Sequence, residues 1–115
     1  MSVTLTAIKK ASIFNTAVNL NTNFFAADIV PVNMPAVFRI SVCMSVAGTF
    51  ILRRKVGATT VSENLNLGTA LVANAAYLFD VLVEQGESIN LQHSATGTIL
   101  SCKVAEIIGM VGTAI

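Results

Sequence analysis

Residues 36–46 (AVFRISVCMSV) alternate strictly between apolar and smaller or more polar side chains. Phe38, Ile40, Val42 and Met44 fall on one side of this alternation, and Arg39 falls on the other. A period of two belongs to a β-strand, because an amphipathic helix repeats every 3.6 residues. The segment therefore predicts a strand with one buried face, and this restricts the fold classes open to the chain.

Other segments have the length and composition of strands and are separated by turn residues. Residues 68–76 (GTALVANAA) alone have helical propensity, and they predict a loop or a single helical turn. The predicted strands are residues 3–8, 12–20, 23–30, 36–46, 49–56, 59–67, 77–84, 88–93 and 98–108. Glycines at 48 and 86 predict two hairpins, one joining 36–46 to 49–56 and one joining 77–84 to 88–93.

About eight short strands with closely spaced turns and no long helix are typical of an antiparallel sandwich. We therefore predict an all-β fold, a single antiparallel, jelly-roll-like β-sandwich. The length of 115 residues fits one domain. Within residues 1–115 we expect a core sandwich at 36–108, an N-terminal arm or strand-exchange segment at 1–35, and an apolar C-terminal tail at 109–115.

The surface of such a small soluble domain is normally covered by polar and charged side chains, and this chain has few charged residues. Hydrophobic residues make up 54% of the chain and charged residues only 11%. In soluble domains charged residues usually make up about 25%. No run approaches the ~18–20 apolar residues of a membrane-spanning helix, so we expect no membrane association. Other subunits are the better explanation for the apolar surface, and we predict a homo-oligomer.

Apolar residues on both faces of two strands support this prediction. In residues 77–84, Leu78 and Leu82 share a face with Asp80 and Glu84, although the outer face of a sandwich is normally polar. The C-terminal residues are also apolar and would be an aggregation hazard if left free. The predicted subunit-interface residues here are Leu78, Asp80, Leu82, Glu84, Ile107, Ile108, Met110, Val111 and Ile115.

Charged residues cluster in two places. Arg53, Arg54 and Lys55 are consecutive on a predicted strand, so that Arg53 and Lys55 share one face and Arg54 has the other. The acidic stretch contains Glu87 together with the two carboxylates of residues 77–84. We expect the basic and acidic stretches to meet across a subunit boundary, where opposite charges set register and partner choice.

Groups for catalysis or metal binding are scarce, and we predict a protein that is not an enzyme and has no cofactor. The one histidine, His93, is expected at an exposed strand end. Asp80 and Glu84 are four residues apart on one strand, roughly 13 Å, which is too far for an acid–base pair. Cys43 and Cys102 lack metal-ligand spacing and are expected to be buried apolar residues, with a disulfide left open. A net charge of +1 makes direct nucleic-acid binding unlikely as a function.

Short motifs in residues 36–108 resemble those of small β-sandwich virion proteins of tailed bacteriophages and related viruses. The matching stretches are FRI at 38–40, AGTF at 47–50, LNLG at 65–68, FD at 79–80, GESIN at 86–90 and VAEI at 104–107. The resemblance implies a virion structural protein: a capsid decoration or cement protein, a minor capsid subunit, or a tail-associated subunit. The expected partners of such a subunit are itself, as a homo-oligomer with a trimer favoured, and a major capsid or other virion protein. The absence of a signal-peptide pattern in the first residues agrees with assembly in the host cytoplasm.

Two other functions fit the sequence. A filament subunit would assemble by donating the N-terminal strand to the next subunit. A carbohydrate-binding sandwich would carry exposed aromatic platforms, but the chain has no Trp and a single Tyr.

Overall fold

A computed structural model describes the backbone of residues 2–31 and 36–113, and the side chains of 7–31 and 36–107. This part of the chain is all-β, as predicted, with a single short 3₁₀ turn at Asn66–Gly68. Its seven strands are β1 (Ser2–Val18), β2 (Ala36–Met44), β3 (Phe50–Val56), β4 (Thr59–Asn64), β5 (Ala76–Val83), β6 (Glu87–His93) and β7 (Gly97–Thr113).

The strands form two antiparallel sheets that pack as a sandwich. Sheet A has the order β1-β7-β2-β5, and sheet B has the order β4-β3-β6. Between them lie the apolar faces that the alternation predicts: Phe38, Ile40 and Met44 of β2 are fully buried. From sheet B, Phe50 and Leu52 are also fully buried. The prediction of an inward apolar face on β2 is confirmed.

The segment 21–31 lies along the free edge of β6. Ile29 and Ile89 exchange both backbone hydrogen bonds, at 2.8 and 2.9 Å, and the Phe24 amide donates to the Leu91 carbonyl at 2.8 Å. With this segment counted, the antiparallel pairs are nested: β1 with β7, 21–31 with β6, β2 with β5, and β3 with β4. Such nesting of hairpins over two sheets is the topology of a jelly roll.

Both predicted hairpins are wrong. β2 and β3 lie in different sheets, and so do β5 and β6. The turns at Gly48 and Gly86 therefore carry the chain from one sheet to the other, and this crossing closes the sandwich. Sequence periodicity cannot distinguish a hairpin from a crossing between sheets. In both cases the second strand alternates between inward and outward side chains in the same way.

The two terminal strands are much longer than predicted. The segments 3–8 and 12–20 belong to one strand, β1, which pairs with β7 from Ser2↔Thr113 to Val18↔Gly97. The break in the sequence pattern between these two segments corresponds to a register irregularity at Lys9/Ala11, and the strand continues through it. In this structure β1 and residues 21–31 pair with strands of the chain's own sandwich. The role expected for residues 1–35, an N-terminal arm or strand-exchange segment, stays a prediction. Residue 1, residues 32–35 and residues 114–115 lie outside the described residues.

β1 and β7 also extend as a two-stranded ribbon. Among the described residues, pairing of β7 with β2 reaches Ile107, whereas its pairing with β1 continues to Thr113. The six further residues of β7 add roughly 20 Å at about 3.3 Å per residue.

Candidate interaction surfaces

The outer face of sheet A combines apolar and charged residues, and the strand register arranges them in rows. Ile107 stands beside Val37, and Val37 stands beside Leu82. In the next row Ala105 is followed by Arg39 and Asp80. Leu78 and Leu82 are 60% and 53% exposed. The predicted mixture of apolar residues and acids on the outer side of β5 is therefore present.

Phe14 is the member of this face that the sequence analysis does not single out. It lies on β1 beside Ser101 and is 62% exposed. Strand alternation in residues 11–15 (ASIFN) places Phe14 and Ile13 on opposite faces. The sequence does not show which of these faces is outward, because β1 has a register irregularity. Only the pairing with β7 resolves this.

Asp80 is held by an arginine on the neighbouring strand. Arg39 Nε and Nη2 donate to the two Asp80 carboxylate oxygens at 2.9 and 3.0 Å. These hydrogen bonds lower the pKa of Asp80. Both side chains are more than a third exposed, so the pair orients the charges of this face more than it stabilises the fold.

Arg54 points to the other side of β3 and holds an edge of the sandwich together. Its Nε donates to Glu63 Oε2 at 2.6 Å, and its Nη1 donates to Glu87 Oε1 at 2.7 Å and to the Leu82 carbonyl at 2.8 Å. The arginine thus joins β3 and β4 to the end of β5 and the start of β6. The expected meeting of Arg54 with an acidic residue is found within one chain, where a contact across a subunit boundary was predicted.

Glu87 also shapes the turn that contains Gly86. Its Oε1 accepts a hydrogen bond from the Glu84 backbone amide at 3.0 Å. That bond, followed by the contact with Arg54, lowers the pKa of Glu87. Gly86 has a φ of 84°, a left-handed conformation that favours glycine. Glu87 is thus half-buried in an intrachain network, whereas Glu84 is exposed.

Arg53 and Lys55 share one face of β3, as the alternation predicts, and this face is the outer face of sheet B. They line a groove of about 470 Å³ with residues of β4, β6 and the segment 21–28. Sequence reasoning identified the two cations but missed the other lining residues. Asn21, Asn23, Asn90 and Gln92 read as turn or strand residues in the sequence, and only the tertiary fold brings them together.

His93 is not at an exposed strand end, and that prediction is wrong. Its side chain is fully buried, its Nδ1 lies 3.0 Å from the Ala95 carbonyl oxygen, and its Nε2 has no hydrogen-bond partner among the described residues. The ring packs against Gly48, where a Cβ atom would lie 2.6 Å from His93 Cε1. β6 carries the ring inward because His93 has the same parity as Ile89 and Leu91.

The cysteines occupy opposite faces of sheet A. Cys102 is fully buried among apolar residues, and burial raises the pKa of its thiol to about 12. Cys43 lies on the outer face of β2, beside Ser101 and Ala76. Both thiols are free, so no disulfide joins them in this chain.

The predicted C-terminal interface residues fall partly within the described region. Ile107 is half-buried on β7. Ile108, Met110 and Val111 belong to the β7 backbone, but their side chains lie outside those described, and Ile115 lies outside the described residues altogether. Their interface role stays a prediction.

Other site types are not found in the described region. Over these residues there is no group of three or more His, Cys, Asp or Glu side chains placed to hold a metal ion. The same part of the chain contains no helix long and apolar enough to span a membrane.

Comparison with known proteins finds no protein-family profile that matches the chain and no curated protein with significant similarity. The motif resemblance to virion proteins therefore stays a prediction.

Proposed function

We propose that this protein is a non-enzymatic structural subunit that works as a homo-oligomer, and that its setting is a virion, as a capsid decoration, cement or minor capsid protein. The observation that carries the proposal is the outer face of sheet A. Phe14, Leu78 and Leu82 are each more than half exposed there. Exposed apolar residues grouped on one face are typical of a protein–protein contact.

The size of this face is adequate for a stable contact. Four strands spaced by about 4.8 Å and roughly 30 Å long cover about 600 Å² in projection. A standard interface removes about 800 Å² of accessible surface from each partner, and accessible area exceeds projected area because side chains stand out of the sheet. The face is therefore of the right order for one subunit contact.

The charges of the face favour a second copy of this chain as the occupant. Lys9 and Lys103 lie on β1 and β7, while Asp80 lies on β5 at the opposite side of the sheet. Lys9 and Asp80 share a row, which runs from Lys9 through Ala105 and Arg39 to Asp80. A two-fold axis parallel to the strands would lay Lys9 of one copy over the Arg39–Asp80 pair of the other. This contact would give a dimer in place of the trimer favoured from the sequence.

The virion setting is supported by architecture and motif. Jelly rolls are frequent in viral capsid proteins, although they also occur in lectins and cupins. A fold does not fix a function, so this part rests on the motifs of residues 36–108. A major capsid or other virion protein is the proposed second partner. Mass-spectrometric identification of the chain in purified particles, with its copy number, tests this part.

A filament subunit is the second candidate, and the β1–β7 ribbon favours it. Exchange of β1 between copies would use the same register that β1 makes with its own β7. Because each copy would then complete the next, a head-to-tail arrangement would form fibres. Negative-stain electron microscopy of the purified protein separates the candidates, since closed oligomers support the first and long fibres the second.

The oligomer is tested by replacing Leu78 and Leu82 with Ser in one variant. Both side chains are exposed, so we expect the fold to keep its stability within about 0.5 kcal/mol, while light scattering shows a lower mass than for the wild type. Val61→Ser on sheet B, where Val61 is 48% exposed, is the matched control and should keep the wild-type mass. A monomeric wild type, or an unchanged mass in the double variant, would contradict the proposed contact.

A further inference from the structure

The groove on the outer face of sheet B is a second feature that a subunit contact through sheet A leaves unused. β3 and β4 form one side of it, and β6 with the segment 21–28 forms the other. Its lining is polar throughout: Asn21, Thr22, Asn23, Asp28, Arg53, Lys55, Thr60, Asn90 and Gln92. A smaller concavity of about 320 Å³ continues it and shares Asp28 and Lys55.

The wall of the groove is held in place by side-chain amides. Asn90 is 2% exposed; its Oδ1 accepts from the Phe25 amide at 3.2 Å, and its Nδ2 donates to the Phe25 carbonyl at 2.9 Å and to Asp28 Oδ1 at 3.0 Å. Gln92 Nε2 donates to Asn23 Oδ1 at 2.7 Å. These bonds fix the segment 21–28 against β6, so the groove is formed before any ligand arrives and binding requires little ordering.

Two cations stand together in the groove. Arg53 and Lys55 are two residues apart on one face of β3, which separates their Cα atoms by about 7 Å. Within the described part of the chain neither forms an ion pair, although Arg53 donates a hydrogen bond to Ser62. By contrast, Arg39 and Arg54 are both paired with carboxylates. The pair in the groove is therefore available for one anionic group.

The remaining groups decide the class of ligand. Asp28 accepts hydrogen bonds and repels a ligand with many negative charges, and the amides and threonines both donate and accept. No aromatic side chain lines the groove, so it lacks the platform on which nucleic-acid bases stack. It also lacks the aromatic platform expected of a site for neutral sugars, so a ligand here must be held by hydrogen bonds and by the two cations. A ligand that carries hydroxyl groups and a single acidic group can form hydrogen bonds with these side chains and an ion pair with the two cations.

We propose that the groove binds an acidic saccharide, with its carboxylate or sulfate group at Arg53 and Lys55 and its hydroxyl groups at Asp28 and the amide wall. The proposal is independent of the subunit contact, because the groove and the apolar face lie on different sheets. In an assembly joined through sheet A, the groove would stay open to solvent.

The test is a titration of the ¹⁵N-labelled full chain, followed by backbone amide shifts, with four probes. These are trigalacturonate as the carboxylated saccharide, a heparin-derived sulfated disaccharide, maltotriose as the neutral saccharide, and inorganic sulfate. We expect saturable shifts at residues 21–23, 53–55 and 90–92 with at least one acidic saccharide, and weaker binding of maltotriose and of sulfate alone.

Variants locate the site. Arg53→Gln and Lys55→Gln should each reduce the affinity about tenfold, as expected for loss of one hydrogen bond to a charged group. Lys103→Gln removes the same charge from the outer face of sheet A and should leave the affinity unchanged. The proposal is overturned if neither acidic saccharide binds, if maltotriose or sulfate binds equally well, or if Lys103→Gln weakens binding as much as the groove variants.

Discussion

At the scale of single residues, the stretch GESIN at 86–90 consists mostly of residues with a structural role. Gly86 makes a turn with positive φ, Glu87 binds Arg54, Ile89 is buried in the core, and Asn90 holds the segment 25–28. Four of its five residues thus have a structural role inside one chain. The motif is explained by the fold without a catalytic function.

The lowered pKa of Glu87 predicts a pH-dependent contribution to stability. A carboxyl whose folded pKa lies below its ordinary value of 4.5 stabilises the fold above that pH and loses the effect as the pH falls through the folded pKa. Glu87→Gln should therefore lower the free energy of unfolding at pH 7 by about 1.5 kcal/mol, the lower end of the usual contribution of a hydrogen bond to a charged group. The difference from the wild type should shrink as the pH falls below about 4.

Urea denaturation across this pH range measures the effect. Glu84→Gln is the control, because it removes the same charge from an exposed side chain three residues away. Equal losses for the two variants at pH 7, or a loss in Glu87→Gln that does not change with pH, would contradict the role given to Glu87.

At the scale of elements, two of the places where the chain crosses between sheets are tightly packed, at Gly48 and at Gly97. The exit of β2 approaches the start of β7 so closely that a Cβ atom on Gly97 would lie 2.5 Å from Val46 Cγ2. Ser45 secures the same junction, because its Oγ accepts a hydrogen bond from the Thr98 amide at 2.9 Å. Glycine is required at Gly97 by contact with a neighbour, not by a positive φ.

Gly97→Ala should therefore destabilise the protein by about 1–3 kcal/mol, the usual cost of overpacking. Val46→Ala in the same chain should restore part of this loss, because it removes the methyl groups that the new Cβ meets. A double-mutant cycle on free energies of unfolding measures the coupling between the two positions. Additive effects would show that Val46 is not what excludes a side chain at Gly97.

At the scale of the whole molecule, the two outer faces differ in character. Sheet A presents exposed Phe14, Leu78 and Leu82, whereas sheet B presents a polar groove with Arg53 and Lys55. A sandwich with exposed apolar residues on one outer face and a polar groove on the other can take one orientation in an assembly. In the proposed oligomer, sheet A faces neighbours and sheet B faces solvent.

The two thiols provide a direct test of this orientation. Cys43 is half-buried on the outer face of sheet A and should react with a maleimide several-fold more slowly in the assembled wild type than in the Leu78→Ser/Leu82→Ser variant. Cys102 should react in neither until the protein unfolds, because it is fully buried and only the thiolate reacts readily. Equal rates for Cys43 in the two proteins would show that this face is not covered.

The sequence by itself determined the fold class and the inward face of β2, because strand periodicity and burial are local properties that eleven alternating residues express directly. It also determined that Arg53 and Lys55 share a face and that Leu78 and Leu82 lie beside Asp80. The tertiary structure decided which strands pair. It turned both predicted hairpins into crossings, joined two predicted strands into β1, and buried His93. It also placed Arg54 against Glu87 within one chain and assembled the groove from residues 21–28, β3, β4 and β6. These outcomes depend on contacts between residues distant in sequence, which the period of a single strand does not encode.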